Sequence, residues 1–225
     1  MSFKRIEKPT HWMIGDELTQ SLVAIGVRLA SDSKIINPNI EDTILSAVKE
    51  GLEGDYRILS LVVDWIEVHS SCLNVDRVYR VLKTEKSNRP FIAFWSGVAK
   101  WLKKDSRFKK IANLYKGPKF DLLGESSSFL IERNGEDERF KGTCFRVPGK
   151  TLRHRLDDIE TPSELSKKHS DYYHRVLIGA TYRADQISIL KMGTELTASE
   201  LARATYSSFK TAWDTKNDWG ILHQA

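Results

Sequence analysis

Read for the spacing of its apolar positions, the chain resolves into a succession of short helices. Leu18, Leu22, Ile25 and Leu29 recur at helical intervals, with Asp16 placed as the cap ahead of them. After Pro38-Asn39 the set Ile44, Leu45, Val48 and Leu52 repeats the pattern, and Gly51 and Gly54 close it. Tyr56 to Val68 is almost continuously apolar; its length favours a buried helix over a strand, though periodicity alone leaves both open. Asn74 caps a helix carrying Val75, Val78, Tyr79 and Leu82. Beyond Asn88-Arg89-Pro90, the residues Phe91, Phe94, Trp95, Val98 and Leu102 mark another, with Pro90 at the first helical position. A short basic helix holding Phe108, Ile111, Leu114 and Tyr115 runs to Gly117-Pro118. Residues 12–116 read as one helical bundle.

The pattern changes after Pro118. Ser128 to Arg133 is strand-like, Asn134-Gly135 is a tight-turn signal, and Phe140 to Val147 serves as the returning strand. A β-hairpin is therefore predicted, and because an isolated hairpin is marginal it must pack on a helical surface. Thr161-Pro162-Ser163-Glu164 is a capping box that starts a short helix through Lys168, and Ala184 to Met192 is a further helix stopped by Gly193. The predicted fold class is mainly α: an N-terminal helical bundle (1–117), a short β-hairpin connector (118–169) and a C-terminal helix-turn-helix head (170–225).

The head rests on Leu196 to Trp213. Thr197 and Glu200 have capping-box spacing, so a helix begins at Ala198 with Leu201, Ala202 and Thr205 inward and Leu196 stapled from before the cap. Tyr206-Ser207-Ser208 breaks that helix and offers a new hydroxyl cap; Phe209, Ala212 and Trp213 then fall at i, i+3 and i+4 and are predicted to face inward. Two short helices so tightly joined spell a helix-turn-helix, whose second helix enters the DNA major groove by its N-terminal end. The groove-facing candidates are then Ser207, Ser208, Lys210, Thr211, Asp214 and Thr215, with Arg203 as a backbone contact; Asp214 repels phosphate unless it accepts from a cytosine amino group. Tyr206 stands where such turns often carry glycine, and with the sequence closing at Ala225 no β wing is expected. Plain helical packing or protein docking accounts for the same spacing.

Composition narrows the class. At 225 residues, 40% hydrophobic and 29% charged, the chain has the make-up of a soluble globular protein. No apolar run is long enough to span a bilayer and Met1 to Lys8 lacks the apolar segment of a signal peptide, so no membrane partner and a cytoplasmic location are expected. Cys72 and Cys144 have neither zinc-ligand nor disulfide-framework spacing and read as packed thiols; no metal and no cofactor is expected. The net charge of +5 favours an anionic partner. Between Val98 and Phe120 lie Lys100, Lys103, Lys104, Arg107, Lys109, Lys110, Lys116 and Lys119 against the single acid Asp105, an excess greater than that of the whole chain. Such a run suits nucleic acid, an acidic protein or simply a solvated face. The tryptophans beside it, Trp95 and Trp101, fit core positions better than a stacking platform, and His69 fits a helix end better than a ligand.

One compact polar cluster invites a catalytic interpretation. Arg153 to Asp158 brings His154, two arginines, Asp157 and Asp158 together, a set that could serve metal-assisted phosphodiester cleavage with His154 as base. Adjacent residues point in different directions, so a surface salt-bridge cluster is the better expectation. No Walker loop, GxGxxG, HExxH or GxSxG is present, and Arg5 with His11 has only the loose spacing of some helical ribonucleases. A non-enzymatic protein is expected.

Arg183-Ala184-Asp185, Glu200-Leu201-Ala202-Arg203 and Thr211-Ala212-Trp213, leading to Lys216 and Asp218-Trp219, together resemble bacterial antitoxin or regulator proteins encoded beside nucleotidyltransferase-like toxins. The resemblance extends into the regions around Tyr56 to Trp65 and Phe94 to Lys104. It implies a cytosolic antitoxin of a toxin–antitoxin module whose surface restrains the toxin and whose helix-turn-helix binds promoter DNA; self-association is compatible with it. Tyr206 in the turn and the missing wing depart from common regulator patterns, and leave toxin binding better founded than operator binding.

Overall fold

The N-terminal helices begin where their caps dictate. In the computed structural model, which describes residues 3–193 and 195–223, α1 (Gly15–Ala24), α2 (Ile40–Leu52), α3 (Tyr56–His69), α4 (Val75–Thr84), α5 (Arg89–Trp101) and the single turn α6 (Lys109–Ala112) follow in order. Asn39, Asp55, Asn74 and Asn88 each accept a backbone N–H from three residues on, at 3.0–3.2 Å, and so satisfy a donor that the first turn leaves over. Two starts differ from expectation: α1 has Ile14 at its cap position with no side-chain bond and Asp16 in its first turn, where its charge meets the positive end of the helix, and α5 begins at Arg89, which puts Pro90 second instead of first. Helix, not strand, is the form of Tyr56 to Val68, and Leu59, Leu61, Val62, Val63, Trp65 and Ile66 are all buried in it. Trp95 is also fully buried, and Trp101 packs half-buried against the same core.

The connector departs from the predicted hairpin. β1 (Phe120–Asp121) and β2 (Phe145–Arg146) pair in parallel, Phe120 opposite Phe145, and between them Ser126–Asn134 forms a helix, α7. Asn134-Gly135 is a helix stop instead of a hairpin turn. Gly135 takes φ 74° and its N–H donates to the Ile131 carbonyl at 2.8 Å, the left-handed ending that only glycine adopts without strain. Phe129, which an alternating strand would have buried, is 65% exposed. The short sheet lies on α5, where Gly97 makes room: a Cβ there would stand 3.0 Å from that of Phe145.

One continuous apolar core runs from Leu18 through Phe140, Phe145, Val147, Leu152 and Ile159 to Leu165 and Tyr172. It therefore includes α8 (Pro162–Lys168), opened by the predicted Thr161/Glu164 capping box, and reaches α9 (Ser170–Ile178). Beyond it α10 (Tyr182–Lys191), α11 (Ala198–Ala204) and α12 (Phe209–His223) close on a second, much smaller cluster of Leu190, Leu201, Ala202 and Ala212. Phe3, Ile189, Leu196 and Trp219 pack half-buried around it, so the chain's first described residue belongs to its last three helices.

Candidate functional site

The α11–α12 junction has the geometry its sequence spells. Thr197 and Glu200 form the capping box, Thr205 ends α11, and Tyr206 makes the turn at φ 57°. A non-glycine residue in this region carries roughly 1–2 kcal/mol of strain, so something must hold it there. Three contacts do. The Tyr206 hydroxyl donates to Asp42 Oδ2 at 2.6 Å, the Arg77 guanidinium lies 3.6 Å from its ring centroid, and Arg5 Nε donates to its carbonyl at 2.7 Å. The bulky side chain in the glycine position is thus the rivet that fixes the turn to the bundle.

Inside the head, Gln186 of α10 decides which face of α12 turns inward. Its amide donates to Ser207 Oγ at 2.7 Å and Thr205 Oγ1 at 3.3 Å, and its oxygen accepts from Thr215 at 2.7 Å. A buried carboxamide needs such partners, so Ser207 and Thr215 are drawn in and are 0% and 2% exposed. This corrects the predicted faces. Ser207 and Thr215 are not groove-facing, whereas Phe209 and Trp213, expected inside with Ala212, stand outward at 42% and 51% exposure. Ser208 and Thr211 are half-buried and bonded to each other as the α12 cap. Lys210 is exposed and paired with Asp214 at 2.8 Å, and Arg203 is exposed on α11. The signal that would have set the face correctly is Gln186, a polar residue with no reason to be buried until its three hydroxyl partners are found.

A buried ionic knot joins the head to the bundle. Arg175, at the centre of α9, donates to Glu41 Oε1 and Oε2 at 2.6 and 2.8 Å, to Asp185 Oδ1 and Oδ2 at 2.7 and 2.9 Å, and to the Cys72 carbonyl at 3.1 Å. Burial pushes the Asp185 carboxyl up to about 7 against the pull of Arg175. For Arg175 burial works the other way, yet its two carboxylate partners hold its pKa well above the usual arginine range. Nearby, His69 ends α3 as expected; it is buried between the Tyr172 hydroxyl at 2.7 Å and the Glu160 carbonyl at 3.0 Å, and burial lowers its pKa to about 4.

Of the basic stretch, Lys100, Lys103, Lys104, Lys109 and Lys110 are exposed. Arg107 is committed elsewhere, to Asp105 at 2.6 Å and to the carbonyls of Ser70, Ser71 and Leu73 at 2.9–3.2 Å. Arg107, Lys109 and Lys110 line a cleft of about 770 Å³ whose other wall is formed by Ala180, Thr181 and Tyr182 at the start of α10. Part of the basic stretch therefore lies beside the head.

The polar cluster at residues 153–158 does not converge. Asp157 and Asp158 lie in a single 3-10 turn, Asp158 pairing with Arg155 at 3.1 Å, while His154 points to Asp64 of α3, its Nδ1 3.8 Å from Oδ1. Asp64, Glu67 and His154 each place one atom within 4.8 Å of the others, the spacing of a cation site. Both oxygens of Asp64 are already engaged, Oδ1 by Arg139 at 2.7 Å and Oδ2 by the Arg155 backbone N–H, so a metal ion would have to displace a guanidinium. Burial raises the Asp64 pKa against the opposing pull of the Arg155 N–H and the Arg139 guanidinium. No helix among the described residues is long and apolar enough to cross a membrane. Comparison with protein-family models, curated proteins and solved structures finds no match.

Proposed function

We propose that the chain acts by binding, as the antitoxin or regulator partner that its C-terminal third resembles, and that it docks its partner protein on the outward face of α12. One observation carries this: Trp213 stands outward, half exposed, and one turn before it Phe209 is 42% exposed with its ring resting on Phe3 at 6.0 Å between centroids, the two bordered by the exposed Lys210, Lys216 and Asn217. Large aromatic side chains surrounded by long polar ones match the centre and rim of a protein interface. Lys210 is paired with Asp214 and Lys216 donates to the Leu196 carbonyl, so the rim is polar without a strong charge, and the face suits an apolar groove with a polar border, as a toxin restrained by its antitoxin would offer. Ala212 and Thr215 anchor the opposite side of α12, so the face is presented without the ordering cost of a mobile segment.

The test is affinity for the product of the neighbouring gene, measured by calorimetry with the purified protein. Phe209→Ala with Trp213→Ala should weaken binding by about 30-fold or more, the size of an interface hot spot. Arg203→Ala should change it little. Unaltered affinity in the double variant removes α12 as the docking face.

Promoter DNA is a second reading, favoured by the position of Lys109 and Lys110 beside α10. Phosphate contacts would come from Arg203, Lys210 and the exposed lysines 100, 103 and 104. Gel shifts at several salt concentrations check it: Lys210→Ala and Arg203→Ala should each flatten the log–log salt slope by about 1. Unchanged slopes exclude both residues from the phosphate set.

A further inference from the structure

We propose that a second copy of this chain covers the outward face of α9, with the two α9 helices antiparallel across a two-fold axis. The proposal concerns a different helix from the docking face on α12 and does not rest on it. What carries it is that α9 is built inside out.

The inward side of α9 is largely polar. Arg175 and His174 are 2% and 5% exposed, with Tyr172 the one large apolar group buried beside them. Asp171, one turn before Arg175, is half-buried on the same side. The outward side is apolar: Tyr173, Val176 and Leu177, spaced i, i+3 and i+4, are 45%, 56% and 66% exposed. Met192, just past the end of α10, adds to them at 53%, and Tyr173 and Met192 line one groove of about 430 Å³. A helix that turns its arginine inward and its branched side chains outward forgoes apolar burial unless something covers the outward side.

Area and charge together select a second copy. The four side chains expose roughly 450 Å², more than half of the about 800 Å² that each partner brings to a standard interface, which is the apolar share such interfaces carry. The free cations lie at one end of this face only. Lys191 Nζ is 5.6 Å from the Tyr173 ring centroid and Lys167 lines the same groove, neither in an ion pair among the described residues; the groove's third lysine, Lys168, is held by Glu160. At the other end, Gly179 turns the chain away at φ 90° and its N–H closes the helix on the Arg175 carbonyl at 2.9 Å. The carbonyls after that one have no intrahelical partner and form the negative end of the helix dipole. A parallel pair of α9 helices would set lysine against lysine. The antiparallel pair sets the lysines of each copy against the carbonyl end of the other, and brings Leu177 of one copy over the Tyr173–Met192 groove of the other.

Sedimentation equilibrium of the full chain tests the assignment. A dimer with a Kd of about 10 µM or tighter is expected. Leu177→Glu should weaken it by about 30-fold or more at unchanged circular dichroism and urea midpoint, since so exposed a side chain supports no core. Val176→Lys is a second variant with the same expectation. Lys191→Glu sets an acid against the carbonyl end and should weaken the dimer about fivefold, a loss that shrinks in about 0.5 M salt. A chain that stays monomeric up to about 100 µM, ten times that Kd, overturns the proposal, and so does a dimer that neither α9 variant weakens. Two other occupants have their own probes: a synthetic amphipathic helix with leucines flanked by glutamates, and phosphatidylglycerol vesicles. Either one bound by a monomeric chain, and released by Leu177→Glu, assigns the face to that ligand and overturns the second copy.

Discussion

The bundle and the head solve the same problem with different materials. The bundle buries Trp65, Trp95, Phe91, Phe94 and Phe108 in one core that draws in residues from Leu18 to Tyr172. The head closes on a cluster of four buried apolar residues, two of them alanine, and fills its remaining interior with Gln186, Thr205, Ser207 and Thr215. Burial of aromatic and branched side chains contributes roughly 1.5–3 kcal/mol each, whereas a satisfied neutral hydrogen bond contributes about 1 kcal/mol net. The bundle rests mainly on apolar burial; the head rests more on directional contacts and on its fastening to the bundle.

The largest expected effect comes from cutting the fastening. Arg175→Met keeps volume but leaves Glu41 and Asp185 buried without a counter-charge, and the loss should be about 3–5 kcal/mol by urea denaturation. The head should also become protease-sensitive before the bundle does. A loss under about 1 kcal/mol would mean that the two carboxylates relieve themselves by taking up protons, and that Tyr206 with Asp42 and Arg77 suffices to hold the head.

An intermediate effect separates the interiors. Gln186→Leu removes the hub of the head's polar network, although Thr205, Ser207 and Thr215 each keep a backbone acceptor. A cost of about 1–3 kcal/mol is expected, expressed locally: amide exchange in α11 and α12 should accelerate while α3 and α5 keep their protection. Uniform acceleration would show that the two regions open together and that the contrast drawn above is one of composition only.

What the sequence made legible follows the same division. Helix starts were readable where a cap was recognised, because caps are local: Asn74, Thr161 and Thr197 act within three residues of themselves, whereas Asn88 caps α5 one residue earlier than Pro90 suggested. The mainly α class followed from periodicity, while at 56–69 length alone favoured the buried helix over a strand. The hairpin failed because Asn134-Gly135 ends a helix as readily as it turns a hairpin, and only the surroundings of Phe129 decide which. The faces of α12 failed for a deeper reason: its inward side is set by Gln186, more than twenty residues away, and polarity alone sent Ser207 and Thr215 to the wrong side. The cleft between Lys109, Asn74 and Tyr182 joins three separate stretches, and no spacing within any one of them announces it.

The smallest expected effect is the most discriminating, because the same chemistry occurs once in each region. Thr161 caps α8, which packs Leu165 into the large core; Thr197 caps α11, which packs Leu201 into the small one. The two boxes match closely, with the cap N–H donating to the glutamate at 2.7 Å in one and 2.8 Å in the other. Replacing either threonine with alanine should cost about 1 kcal/mol of local helix stability. For Thr161→Ala that cost should appear in full as a lowered urea midpoint, since α8 belongs to the core whose loss is global unfolding. For Thr197→Ala the midpoint should hardly move, while exchange in α11 and the first turn of α12 should quicken about fivefold, as expected of a head that opens beneath the global transition. Equal midpoint shifts in both variants would make head and bundle one cooperative unit, and the small polar interior of the head would then be as firmly held as the aromatic core beside it.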